Sequence, residues 1–171
     1  MATVTAAFSS PTTDSIVSLR DVTRESVRDV CRLKVKPEQE SFVAPNAVSI
    51  AQAYFHPEAW FRAIYQGETP VGFAMLEDWS QCPDIAPDEY RQNQYVALWR
   101  FMIDARHQSR GYGAVALGLL IEQARTRPGA KVMYLSFVPG EGNAETFYRR
   151  FGFLPTGEED EGEIVMMRPL D

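Results

Sequence analysis

Cysteine and histidine are scarce in this chain, with two of each among 171 residues. Cys31 and Cys82 form no CxxC pair and no histidines cluster, so the sequence carries neither a disulfide framework nor a zinc site. Reduced thiols in a cytoplasmic protein are the expected state. Long apolar runs are also missing. None approaches the roughly 18 residues of a membrane-spanning helix. Basic charge is short: 17 Lys and Arg against 23 Asp and Glu give a net charge of -6. That argues against nucleic acid as the main partner and suits a cationic one. Residues 1–14 contain no Lys or Arg and are rich in Ser, Thr and Ala. They lack the basic start and apolar core of a signal peptide and are expected to be a flexible extension. There is no internal repeat, low-complexity segment or second domain, so residues 15–171 read as one domain large enough to bury a core. Two phosphate-binding loops are absent as well: no Gly-x-x-x-x-Gly-Lys-Ser/Thr, and no Gly-x-Gly-x-x-Gly with an acidic residue about 20 positions on.

What the chain does contain is an alternation of strand-like and helix-like stretches. Residues 16–20 alternate apolar and polar and read as a first strand. Thr23 is placed to cap a helix over 24–34, with Val27, Val30, Cys31 and Leu33 or Lys34 facing inward and Pro37 ending it. After an irregular loop, Asn46 is placed to cap a helix over 47–54, stopped by Pro57. Residues 60–65 and 71–76 flank a turn with Gly67 and Pro70, which predicts an antiparallel hairpin. Residues 77–93 form a polar connection carrying Glu77, Asp78, Asp84, Asp88 and Glu89. A connection this long in a compact domain is more often functional than idle.

A fourth strand is expected over 95–104 and a helix over 114–125, with Ala116, Leu117, Leu120, Ile121 and Ala124 at helical spacing. A fifth strand follows over 131–138, then a short helix capped by Asn143, running to Phe151 and closed by Gly152. The chain ends in a strand pair, 153–155 and 163–168, around an acidic loop with Glu158, Glu159, Asp160 and Glu161. This predicts an α/β chain with one mixed, mostly antiparallel sheet. Strands four and five should be parallel neighbours, with helices on both faces.

Between the fourth strand and its helix lies Gln108-Ser109-Arg110-Gly111-Tyr112-Gly113. A strand, a glycine-bearing turn and a helix N-terminus together present free N–H groups and the positive end of a helix dipole. That is a ready site for a phosphate or pyrophosphate. Arg106 and Arg110 add positive charge there. The other reading is a βα turn that needs glycine only for its geometry.

Gln-x-x-Gly-x-Gly after an apolar strand resembles the acyl-CoA-binding signature of the GNAT superfamily of N-acetyltransferases. A second stretch, Asn143 followed by Phe147-Tyr148-x-x-x-Gly152-Phe153, resembles the C-terminal motif of the same superfamily. The two occur in that order, one helix and one strand apart, and the resemblance covers 17–168. More finely, Ser41-Phe42-Val43-Ala44-Pro45-Asn46 and Arg100-Phe101-Met102-Ile103-Asp104 look like the bacterial spermine/spermidine (diamine) N-acetyltransferases.

The resemblance implies a GNAT-like fold and acetyl transfer from acetyl-CoA to a primary amine, with spermine or spermidine the favoured acceptor and no metal. The backbone of Gln108, Ser109, Arg110, Gly111, Tyr112, Gly113 and Ala114 would hold the pyrophosphate. The strand edge at Phe101, Met102 and Ile103 would pair with the pantetheine amides. Asn143 would hydrogen-bond the pantetheine arm, be a plain helix cap, or both. Tyr148 would touch the cofactor and protonate the departing thiolate; otherwise it is an aromatic core residue. Residues 95–103 contain no carboxylate, so Glu77 is the candidate base, the alternatives being a solvated strand end and proton loss to solvent. Asp104 is a less favoured candidate base, since it sits at the pyrophosphate end, and the single histidines His56 and His107 receive no catalytic role. The acidic stretches 77–89 and 158–163 would attract a polycation or are simply solvated faces. Trp79 and Tyr90 would line an acceptor cleft or belong to the core. The implied partner is a small-molecule amine, with neither nucleic acid nor membrane involved, and similar proteins are commonly homodimers. An aminoglycoside, an amino acid, or a protein lysine or N-terminus stays open as the acceptor. So does a non-catalytic acyl-CoA sensor.

Overall fold

A computed structural model describes residues 16–140 and 144–171; the first 15 residues, and Asn143 with them, lie outside the described residues. In chain order the elements are β1 (Val17–Arg20), α1 (Val27–Arg32), α2 (Asn46–Ala53), β2 (Ala59–Gln66), β3 (Thr69–Glu77) and α3 (Asp88–Asn93). They continue with β4 (Tyr95–Ile103), α4 (Tyr112–Arg125), β5 (Val132–Phe137), α5 (Ala144–Arg149), β6 (Leu154–Asp160) and β7 (Glu163–Pro169). The strands form one mixed sheet in the order β1-β2-β3-β4-β5-β7-β6. The β4–β5 pair is parallel and every other pair antiparallel, as the sequence predicts.

Strand alternation divides the apolar side chains between two cores. On one face Ala63, Phe73, Met75 and Met102 meet Val30 and Leu33 of the α1 region. On the other, Ile64, Ala74, Leu76, Val96 and Leu98 meet Ala116, Leu117, Leu120, Ile121 and Ala124 of α4. The helical stripe read from the sequence is therefore core.

One irregularity shapes the middle of the sheet. The β3–β4 register steps from Met75↔Arg100 to Leu76↔Leu98, so Trp99 is an extra residue on β4. A bulge of this kind bends its strand and increases the local twist. Pairing of β4 with β5 is confined to Tyr95–Leu98 against Val132–Leu135. Beyond Leu98 the two strands part, while β5 stays paired with β7 as far as Phe137↔Ile164.

Four local expectations are revised. Thr23 does start the α1 region, through a reciprocal pair with Ser26: Ser26 N–H donates to Thr23 Oγ1 at 3.3 Å and Thr23 N–H donates to Ser26 Oγ at 2.8 Å. The regular helix begins only at Val27 and ends at Arg32. Asn46 is not a cap. It is 2% exposed, and its Nδ2 donates to the Val30 carbonyl at 2.9 Å, so packing of α2 on α1 claims its amide. The polar connection after β3 holds two 3-10 turns and α3. Glu158, Glu159 and Asp160 lie on edge strand β6, and the hairpin turn is only Glu161-Gly162, both with positive φ.

Gly72, opposite Ile103, allows β3 and β4 to approach closely: a Cβ there would sit 2.4 Å from the Met102 carbonyl oxygen and 2.9 Å from Ile103 Cδ1. Gly72→Ala is expected to lower unfolding free energy by about 1–3 kcal/mol, the usual range for overpacking. Urea denaturation of the two proteins checks this.

Candidate active site

The gap between β4 and β5 opens into a cleft of about 1570 Å³. Its walls are β4, the turn before α4, the end of β5, α5 and the acidic hairpin. Of the residues expected at the site, Glu77, Phe101, Met102, Ile103, Gln108, Ser109, Gly111, Tyr112, Gly113, Ala114 and Tyr148 all line it. Arg110 is exposed on the same turn without lining the cleft, and Asn143 lies outside the described residues.

The turn before α4 is built to face an anion. Ser109 and Gly111 both adopt positive φ, 62° and 84°. Alternating backbone of this kind turns successive N–H groups toward one side and makes an anion-binding concavity. Gly111 is the N-cap of α4, so the N–H groups of the first helical turn have no intrahelical acceptor. A Cβ at Gly113 would lie 3.5 Å from Ile103 Cγ1, an ordinary contact, which places the helix start beside β4. The Gln108 side chain has a structural task. Its Nε2 donates to the Ile103 carbonyl at 3.0 Å and to Gln39 Oε1 at 2.7 Å, tying the turn to the end of β4.

Asp104 braces the same corner. It is 2% exposed and accepts from the Lys34 N–H at 3.0 Å, the Arg106 N–H at 3.0 Å and Arg106 Nε at 2.8 Å. Burial alone would raise its carboxyl; the Arg106 guanidinium and the two backbone donors outweigh it and hold the group below the usual carboxylate range. The Arg106 charge, expected beside the anion site, is therefore engaged with Asp104.

Beyond Leu98 the side of β4 that faces β5 has no strand partner. Trp99 to Ile103 thus offer main-chain donors and acceptors to an extended ligand, as an exposed sheet edge does. Their side chains are spoken for: Phe101 stacks on Phe147 with centroids 6.4 Å apart, and Met102 is buried.

Tyr148 is held on α5 by a ring cluster, with centroids 5.3 Å from Phe147, 6.1 Å from Phe153 and 6.2 Å from Phe137. The helix ends in a Schellman arrangement: Phe153 N–H bonds the Tyr148 carbonyl at 3.3 Å and Gly152 N–H the Arg149 carbonyl at 3.0 Å. The Tyr148 hydroxyl has no hydrogen-bond partner among the described residues. Burial, with the nearby Glu163 charge, pushes its phenol up to about 12. The ring packs in the aromatic cluster while the hydroxyl stays unbonded within the described residues.

Glu77, at the end of β3, is a fixed carboxylate and not a solvated strand end. Its Oε1 accepts from Tyr95 Oη at 2.9 Å and from Trp79 Nε1 at 2.5 Å. The next residue, Asp78, is 2% exposed, accepts from Ser80 N–H at 3.1 Å and pairs with Arg127 Nε at 2.9 Å. Trp79 and Tyr90 do not line the cleft; Trp79 orients Glu77, and Tyr90 packs edge-on against Tyr95 at 5.7 Å. His56 bonds Glu58 at 2.7 Å. Tyr95, Tyr134 and Ser136 line the cleft without belonging to any recognised motif. Alternation along their strands was the only available signal, and it gives a face without giving a function.

Comparison with known proteins agrees with this geometry. Residues 25–153 match the model of the acetyltransferase (GNAT) family. The chain is 33% identical over 159 residues to the spermine/spermidine N(1)-acetyltransferase of Bacillus subtilis (strain 168), an alignment covering 90% of this chain and 99% of the relative. Among solved structures, the spermidine N-acetyltransferase of Vibrio cholerae, in complex with CoA and spermine, superposes with a TM-score of 0.67 at 14% identity, covering 90% of this chain and 95% of that one. An acetyltransferase from Thermus thermophilus gives a TM-score of 0.67 at 19% identity, covering 91% and 98%. Both likenesses are at the level of the fold. With the sequence family and the parted parallel strands in agreement, the chain is an acyltransferase that belongs to the GNAT acetyltransferase family.

Proposed function

We propose that this enzyme transfers the acetyl group of acetyl-CoA to a primary amine of a polyamine, spermine or spermidine. The observation that carries the reading is one cleft joining three parts: a glycine-bearing helix N-terminus, an unpaired β4 edge, and a half-buried phenol whose hydroxyl has no partner among the described residues. The relative from Bacillus subtilis and the Vibrio cholerae enzyme, seen with CoA and spermine, support the choice of acceptor. So does the cleft rim, which carries Glu77, Glu89, Glu158, Glu159, Asp160, Glu161 and Glu163. Carboxylates in such number raise the local concentration of a polycation.

In this reading the backbone of 108–114 holds the pyrophosphate and the β4 edge at Phe101, Met102 and Ile103 pairs with the pantetheine arm. The acceptor enters as an ammonium, with a pKa near ~10.4 in water, and must shed a proton to attack. Glu77 Oε2 receives that proton, directly or through one water, while Tyr95 and Trp79 hold Oε1. The freed nitrogen lone pair adds to the thioester carbon, and main-chain donors stabilise the oxyanion. The nitrogen, now bonded to carbon, releases its second proton to solvent, and collapse of the tetrahedral intermediate breaks the C–S bond. The leaving thiolate takes the Tyr148 proton, which solvent restores.

The first test is release of CoA thiol from acetyl-CoA with spermine, spermidine, kanamycin and a lysine peptide. Turnover on the polyamines is expected. Turnover on kanamycin or the peptide alone would reassign the acceptor, and tight acetyl-CoA binding without turnover would favour a sensor.

Tyr148→Phe is expected to lower kcat at least about 100-fold, the lower end for general acid catalysis, with little change in acetyl-CoA affinity. Only the neutral phenol donates, and its pKa is pushed up to about 12, so the form that works persists as pH rises. Wild-type kcat should therefore show no tyrosine-linked fall between about pH 7 and about pH 10. Glu77→Gln is expected to lose activity chiefly near neutral pH. Its deficit should shrink toward pH ~10, where solvent already supplies free amine. A purely structural role for Glu77 would leave the deficit independent of pH.

A further inference from the structure

The carboxylates of the terminal hairpin are not alike. Glu158, Glu159, Asp160 and Glu161 are exposed. Glu163, the first residue of β7, is half-buried, and Ser136 Oγ donates to its Oε2 at 2.5 Å. Ser136 pairs with Val165, so Glu163, two residues before Val165, lies on the same sheet face as Ser136. Tyr134 shares that face, and its ring meets Tyr95 edge-on at 5.8 Å. Tyr95 in turn donates to Glu77. One wall of the cleft thus runs from Glu77 through two tyrosine rings to Glu163.

Glu163 has no ion-pair partner among the described residues. Arg100 feels its charge but donates instead to the Trp99 carbonyl at 2.9 Å and to Gln52 Oε1 at 3.4 Å. Tyr148 also feels the charge without bonding to it, so the carboxylate stands off from the phenol. A carboxylate that is oriented, partly desolvated and without a direct ion pair is costly, and a ligand cation would offset that cost.

We infer that Glu163, oriented by Ser136, seats a second ammonium group of the acceptor, one alkyl spacer from the nitrogen that reacts beside Tyr148. It thereby makes the site select diamines and polyamines over monoamines. The inference rests on the acetyl-transfer reading above and names the residue that sets its substrate class. The tyrosine faces between the two carboxylates suit the methylene spacers of such a chain. Glu163 makes no contact with the reacting atoms in this arrangement; it acts on where the acceptor sits.

The test compares 1,3-diaminopropane with propylamine, which differ by one amino group, using acetyl-CoA as donor. Wild type is expected to favour the diamine in kcat/KM by at least about tenfold, the range of a charge-assisted contact. Glu163→Gln should erase most of that preference, raising KM for the diamine about tenfold or more while moving propylamine less than about twofold. Glu25→Gln, an exposed position outside the cleft with the same change of net charge, should leave both within about twofold. Equal losses on the two amines in Glu163→Gln, or an undiminished diamine preference, would overturn the inference. Calorimetric titration of spermidine into the CoA complex gives a readout that needs no turnover, and affinity there should fall about tenfold in Glu163→Gln. Should wild type acetylate no amine, the acetyl-transfer reading fails, and this binding comparison still decides the role of Glu163. Unchanged spermidine affinity would dismiss it.

Discussion

Everything at the site depends on two parallel strands that stop being neighbours. β4 and β5 share only Tyr95–Leu98 against Val132–Leu135 before they part. The bulge at Trp99 bends β4 while its other edge stays hydrogen-bonded to β3 as far as Ile103. Main-chain groups that would be satisfied inside a sheet are left facing a gap. A sheet tolerates this where water or a ligand takes the missing strand's place. Pairing with β3 on one side and with β7 on the other occupies the outer edges of β4 and β5 on either side of the gap.

The charges around the gap are sorted by depth. Asp104 is buried and satisfied by four donors from Lys34 and Arg106, which makes it a brace for the turn before α4. Asp78 is buried and paired with Arg127, which fixes the start of the polar connection. Glu77 and Glu163 sit at half depth, oriented by neutral donors and without an ion-pair partner among the described residues. The acids of β6 are at the surface. Full burial with paired charge gives structure, and full exposure gives only a diffuse field. The intermediate pair keeps a definite geometry without a direct ion pair.

Much of this was legible in the chain. The six-residue turn from Gln108 to Gly113, the Ala116-to-Ala124 stripe and the pairing of Phe147-Tyr148 with Gly152-Phe153 are local patterns, set by helix caps and by a 3.6-residue period. They led to residues that line the cleft, Ser109, Gly111, Tyr112, Gly113 and Tyr148 among them. Asn46 and Arg106 were misjudged for one shared reason. Each has a plausible local role, as cap or as anion contact, and each is claimed by a partner that the fold supplies: the Val30 carbonyl for Asn46 and a buried Asp104 for Arg106. The acidic hairpin looked like a loop because charge hides alternation; pairing with β7 makes it a strand.

By itself the sequence determined the order of elements, the parallel β4–β5 crossover, the anion-facing helix start and the family. These follow from periodicity, glycine geometry and motifs that lie within a few residues of one another. Only the tertiary structure decided which carboxylates of the cleft are held in place by hydrogen bonds. Glu77 and Glu163 are distinguished from their acidic neighbours by Tyr95, Trp79 and Ser136, and the cross-strand partners Tyr95 and Ser136 lie 18 and 27 residues away. Hydrogen bonds between strands depend on register. Register is a property of the whole sheet, and no local stretch of the chain records it.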